Sequence, residues 1–196
     1  MTPEHRRQPD PKRSVELLWR LRDPPPRRGP KPRFSARELA HIAIQIADSD
    51  GLAAMSMRRV ADQLGVTAMS LYTYVPGKTE LLDLMLDTVC GEAIDRDSDG
   101  IGWRAKLEVV ARQSWAIYRR HPWMLQVGTM NRPVLGPNVI AKYDRELRAI
   151  DGVGLDDIEM DSVVALIANY VHGAARGAVD TTQTEQSSGM TDEQWW

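Results

Sequence analysis

The 196-residue sequence predicts an all-α protein, because apolar residues recur at helical spacing along most of it, no stretch alternates with a period of two, and capping or breaking residues separate the helical runs. At 42% apolar residues the chain has material for one domain or two small ones, each with its own core.

Residues 1–13 and 23–33 are rich in Pro, Arg and Lys, and Pro24-Pro25-Pro26 and Gly29-Pro30-Lys31-Pro32 are incompatible with helix interior, so both stretches read as extended linkers. Between them Ser14 is placed to cap two helical turns whose sticky face, Leu17, Leu18, Trp19 and Leu21, is too short to fold alone. Ser35-Ala-Arg-Glu38 is a capping box, followed by Leu39, Ile42, Ala43, Ile46 and Ala47 on one face until Gly51. Ser56 caps a second short helix that buries Met57, Val60, Ala61 and Leu64 and ends at Gly65. Thr67 caps a third with Leu71 inward, stopped ahead of Pro76-Gly77, and Thr79 caps a longer one through Leu81, Leu82, Met85, Leu86 and Val89. After an acidic, Gly-bearing break at 95–102, a helix spans 103–120, and further helices are expected at 123–129, 138–150 and 156–180.

Residues 1–34 hold ten Lys/Arg against four Asp/Glu, and the remainder holds fifteen against twenty-three, so a basic arm precedes an acidic body. An arm of this kind meets a polyanion or serves as a solubilising tail. The single cysteine, Cys90, excludes an intramolecular disulfide or a multi-Cys zinc site and reads as a small core residue. With no run of 18 apolar residues and no apolar signal core, neither membrane insertion nor secretion is indicated, and a reducing, cytoplasmic setting is expected. His5, His41, His121 and His172 form no His-x-x-x-His pair, and no acidic metal motif or glycine-rich phosphate loop accompanies them. A helical-bundle enzyme is therefore the weakest rival, and no catalytic residue, metal or cofactor is expected.

Two short helices joined through a glycine make a helix-turn-helix when the first offers a small residue at the crossing, the turn tolerates positive φ, and the second anchors back with an apolar side chain. Ala61, Gly65 and Leu71 fill these roles at offsets of four and six. The surrounding block 34–89, with AIQIADSDGLAAMSMRRVADQLGVTAMSLYTYVPGKTELLDLM, closely resembles the N-terminal domain of the tetracycline-repressor-like (TetR) family of bacterial regulators. The Ser56-Met-Arg-Arg59 helix start, the Leu64-Gly65-Val66 turn, the Leu71-Tyr72 pair and Lys78 carry the likeness. The flanking SVELLWRLR and RRGPKPRFS resemble an N-terminal extension of some actinobacterial members.

This resemblance implies a basic extension at 1–33, a three-helix helix-turn-helix DNA-binding domain at 34–80 and a helical regulatory and dimerisation domain at 81–196. It implies a double-stranded DNA operator, a small-molecule effector and a homodimer as partners. On a DNA-binding recognition helix beginning at Thr67, Ala68, Met69, Ser70 and Thr73 are then placed to read base edges and thymine methyls, and Arg58 to make a bidentate contact to guanine, unless it is an ordinary solvated arginine. Tyr72 and Tyr74 suit phosphate contacts, with a core-bracing role for Tyr72 as the alternative, and Lys78 shares a phosphate with the helix it opens. Because 35–78 carries four Lys/Arg against four Asp/Glu, Arg27, Arg28, Lys31 and Arg33 are assigned the charge that this segment lacks, in the minor groove.

Ala165, Ala168, Gly173, Ala174, Gly177 and Ala178 give the last long helix small surfaces for close helix packing, within the chain or across a dimer. Trp103, Trp115, Tyr118, Trp123, Met124, Met130, Asn169 and His172 are candidates to line an apolar or aromatic effector pocket, against the plain alternative of ordinary core. A regulator that binds DNA without any ligand also stays open. Thr191-Asp-Glu-Gln194 is a capping box followed by Trp195-Trp196, so a family-typical last helix is expected to be missing or cut short.

Overall fold

A computed structural model describes residues 11–22, 34–92, 102–127, 134–190 and 194. Every regular element among them is helical. Nine α-helices are described: α1 (Pro11–Arg22), α2 (Ala36–Asp50), α3 (Met57–Leu64), α4 (Ala68–Leu71), α5 (Lys78–Cys90), α6 (Trp103–Arg120), α7 (Met124–Val127), α8 (Pro137–Arg148) and α9 (Asp157–Ser188). A 3₁₀ turn, Leu52–Ala54, lies between α2 and α3.

The chain divides into two compact units, residues 1–88 with 134–139, and residues 89–133 with 140–196. The sequence alone suggests a boundary at 80, but α5 clusters with the first unit through Thr88, and the chain returns to that unit at 134–139.

In the first unit Leu39, Ala40, Ala43, Val60, Leu71, Val75, Leu81 and Met85 are fully buried. Burying each of the larger side chains contributes about 1.5–3 kcal/mol, which fixes short helices that would not persist in isolation. The Ser35 capping box forms as predicted: its hydroxyl accepts from the Glu38 N–H at 3.2 Å, while the Glu38 carboxylate accepts from the Ser35 N–H at 2.6 Å. Two predicted caps are corrected. Ser14 is not an N-cap, since α1 already starts at Pro11 and the Ser14 hydroxyl is turned to Asp83. Thr79 lies inside the first turn of α5, which starts at Lys78.

In the second unit α6 packs along α9, whose buried stripe is Val164, Val171 and Ala175. The helix expected at 156–180 runs on to Ser188; 181–188 is polar and without apolar periodicity, yet nothing breaks it until Gly189, at φ +69. At 32 residues α9 is about 48 Å long. Its Ile158, Leu166 and Tyr170 are 78%, 70% and 77% exposed, and Gly173 and Gly177 have open space where a Cβ would stand. Met130, and most of the capping box at 191–194 with Trp195 and Trp196, lie outside the described residues.

Candidate functional site

The helix-turn-helix is built from three sequence-local devices. Ser56 caps α3 by accepting from the Arg59 N–H at 3.2 Å. Gly65 then takes the left-handed conformation, φ +65 and ψ +37, and two bonds close the end of α3: Val66 N–H to Ala61 carbonyl at 3.0 Å and Gly65 N–H to Asp62 carbonyl at 3.2 Å. Ala61, 1% exposed, lets α4 approach, and Leu71, fully buried, anchors α4 from behind. A Cβ at Gly65 would meet nothing within 4 Å, so the constraint there is backbone conformation alone. Gly65→Ala should therefore destabilise by about 1–2 kcal/mol in urea melts, and a neutral result would remove the turn from the account.

The turn leaves α4 bare in front. Thr67, Met69, Tyr72 and Thr73 are exposed, Met69 at 76%, while Ala68 and Ser70 are half-buried. Thr67 holds the expected N-cap position of α4, with extended backbone (φ −80, ψ 146), but makes no side-chain cap bond. The Ser70 hydroxyl donates to the Thr67 carbonyl at 2.6 Å and the Thr73 hydroxyl to the Ser70 carbonyl at 2.7 Å. Both hydroxyls thus face their own backbone as donors and offer lone pairs outward, which suits a base amino group.

The flanking residues divide by contact. Tyr74 is half-buried with its ring 4.6 Å from that of Phe34, so its body braces the start of α2, whereas Tyr72 is 47% exposed. Lys78 is exposed and donates to the Met55 carbonyl at 2.9 Å, tying the first turn of α5 to the residue ahead of the Ser56 cap. The carbonyl carries no sequence signal, and only the fold discloses this tie. The Arg58 side chain is 88% exposed and meets Asp62 at 4.0 Å, a pair too solvated to hold it. Its neighbour Arg59 is engaged by Asp50. Arg27, Arg28, Lys31 and Arg33 lie outside the described residues.

The second unit holds a small apolar cavity of about 10 Å³, room for about one water molecule. Leu107, Val110 and Ser114 of α6 face Val164, Ile167, Ala168 and Val171 of α9 across it, with Glu146 of α8. Of the eight residues proposed from sequence, Met130 lies outside the described residues and none of the other seven lines this cavity. Trp103 is 46% exposed, beneath the Arg104 guanidinium, and Asn169 is exposed too. Trp123 and Met124 are buried as ordinary core.

Tyr118 and His172 do meet, edge to face, with ring centroids 5.6 Å apart. They sit one helical turn beyond Ser114 and Ala168. Burial, with Cys90 and Glu146 adding to it, raises the Tyr118 phenol to about 12, so it stays a neutral donor. His172 Nε2 is buried without a hydrogen-bond partner among the described residues. His172→Phe keeps the ring packing and removes that group, so it should stabilise the protein by about 1 kcal/mol; a lower melting temperature would show that the nitrogen is satisfied. Among the described residues no group of three His, Cys, Asp or Glu could hold a metal ion, and no helix is long and apolar enough to cross a membrane.

Two family descriptions match the chain: "Bacterial regulatory proteins, tetR family" over residues 41–85, and "Tetracyclin repressor-like, C-terminal domain" over residues 96–196. The HTH-type transcriptional repressor DrrR1 of Streptomyces coeruleorubidus is 47% identical over 185 residues, covering 94% of this chain and 68% of the relative. An HTH-type transcriptional regulator of Saccharopolyspora erythraea is 31% identical over 144 residues, covering 74% of this chain and 61% of the relative. Among solved structures, ActR of Streptomyces coelicolor, crystallised in complex with actinorhodin, superposes with a TM-score of 0.71 at 26% identity, covering 81% of this chain and 74% of ActR.

Proposed function

Because the chain belongs to the tetR family of bacterial regulatory proteins and is a DNA-binding transcriptional regulator, we propose that it is a homodimeric repressor that reads a palindromic operator through α4 and answers a small-molecule effector bound in its second unit. The observation that carries the DNA reading is the asymmetry of α4: Leu71 fully buried behind, Met69 76% exposed in front, on a turn closed by Gly65.

One short reading turn gives too little contact for tight specific binding, so two copies engage two half-sites about 34–36 Å apart or multiples of that. The exposed flank of α9, with Ile158, Leu166 and Tyr170, supports α9 as part of the pairing surface. Met69 and Ala68 meet thymine methyls, Thr67, Ser70 and Thr73 meet base edges, and Arg58 reaches a guanine. Tyr72, Tyr74 and Lys78 hold phosphates. Footprinting of the promoter beside the chain's own gene tests DNA binding, half-site spacing and autoregulation together; a single unpaired footprint would overturn the dimeric reading.

Arg27, Arg28, Lys31 and Arg33 add phosphate contacts. Changing all four to Ala, with α1 left in place, should reduce the salt slope of log K by roughly one unit per lost contact. An unchanged slope would exclude the arm.

The likeness to ActR, solved in complex with actinorhodin and with (S)-DNPA, supports an effector for this chain as well. Coupling is reciprocal: a ligand that weakens operator binding is weakened by operator to the same degree. The small size of the cavity between α6 and α9 favours a second reading, a constitutive regulator without ligand, since an effector larger than a water would have to part these two helices to enter there. Thermal-shift screening of the purified protein against aromatic small molecules separates the two readings.

A further inference from the structure

Three segments far apart in sequence meet on one face of α5. Asp83 and Asp87 stand one helical turn apart there, 9% and 4% exposed. Asp83 Oδ2 accepts from the Ser14 hydroxyl of α1 at 2.5 Å. Asp87 Oδ1 accepts the backbone N–H groups of Asn138 and Val139 at 2.9 and 3.1 Å, and its Oδ2 accepts the Asn138 side-chain amide at 3.2 Å. The two outer segments are joined to each other, since the Trp19 indole N–H donates to the Leu135 carbonyl at 3.0 Å. Leu18 of α1 is 2% exposed. All of these residues belong to the first unit.

A twelve-residue helix does not hold its shape alone in water, so the order of α1 comes from this docking. An apolar cover would do as well for stability, because burying carboxylates carries a desolvation cost that paired bonds only offset. What directional bonds add is register. α5 in turn is tied to the helix-turn-helix by Lys78 on the Met55 carbonyl, so a shift of α5 carries the turn ahead of α3 with it. α1 lies outside both matched family spans, 41–85 and 96–196.

We infer that α1 is a built-in latch on α5: Ser14 on Asp83 and Trp19 on Leu135 fix the register of α5 against residues 134–139 and thereby the placing of the α4 reading turn. Ser14, Trp19 and Asp83 are positioning residues that touch no DNA. This inference rests on the DNA-binding reading of α4.

The test uses the full chain and duplexes selected by the wild-type protein from a random-sequence pool. Ser14→Ala should weaken binding to those duplexes about two- to tenfold at 25 °C, with the salt slope unchanged because the phosphate contacts are the same. Trp19→Phe, which keeps an aromatic ring but removes the indole N–H together with the five-membered ring, should do likewise, and combining Ser14→Ala with Asp83→Ala should add nothing to Asp83→Ala alone. A lower melting temperature with unchanged affinity in both single variants would overturn the latch and leave α1 a stabilising cover. Failure of the wild-type protein to select any duplex would instead refute the DNA-binding reading beneath it.

Discussion

Met69→Asp should lower operator affinity by about a hundredfold, near 2.7 kcal/mol, while the melting temperature stays where it is. The side chain is 76% exposed at the outermost point of α4, so folding makes little use of it. In a major groove it would meet thymine methyls, and a carboxylate there exchanges that apolar contact for repulsion by the flanking phosphates. In a dimer the change acts twice. Because the repulsive part is screened, the deficit should shrink between 50 and about 200 mM salt, which a titration at several salt concentrations measures. Full retention of affinity would mean that α4 does not face DNA.

The largest stability effect is expected at Gly136. A Cβ there would stand 2.1 Å from Asp87 Oδ1 and 2.4 Å from its Cγ, so Gly136→Ala must push the carboxylate off the start of α8. Two part-buried backbone N–H groups, of Asn138 and Val139, would lose their acceptor, each at a cost of up to about 1–3 kcal/mol. Gly136→Ala and Asp87→Ala should each destabilise by about 2–4 kcal/mol in denaturant melts, and the double variant by no more than the worse single one. Independent, additive losses would show that the two residues do not share one contact.

The pH dependence of Asp87 has a definite sign. Burial raises its carboxyl above the ordinary range, against the opposing pull of the Val139 and Asn138 hydrogen bonds and of Arg37. The native protein therefore holds this proton more tightly than the unfolded chain does. Stability from this group falls as pH climbs from the ordinary carboxylate value through the raised one, and is level above it. Asp87→Asn keeps an oxygen for the two N–H groups and cannot ionise, so it should be milder than Asp87→Ala and should abolish that part of the slope. An unchanged slope would place the titration elsewhere.

The helix-turn-helix was legible because its determinants are close in sequence: Ala61, Gly65 and Leu71 lie within ten positions, and Ser35 with Glu38 within three. The α5 junction was not. Ser14 precedes a helical apolar pattern and so reads as a cap, but its partner Asp83 is 69 residues away, and only the tertiary fold brings them together. Asp83 and Asp87 look like solvent-facing charges among Leu81, Leu82 and Leu86, since no local pattern states what will cover them. The cavity was missed for a different reason. Aromatic and Met residues stand out in a chain with 6% aromatics, yet the walls are Leu, Val, Ile and Ala at helical spacing, which any core would show.

The exposed flank of α9 also bears on how the regulator counts itself. If Ile158, Leu166 and Tyr170 are covered only when two copies meet, the species that reads the operator is scarce at low abundance and rises with the square of the protein concentration. Below the pairing constant, doubling the protein raises the reading species about fourfold. A promoter controlled this way responds to abundance along a curve steeper than a simple hyperbola, and small changes in synthesis or proteolysis become audible before any effector arrives.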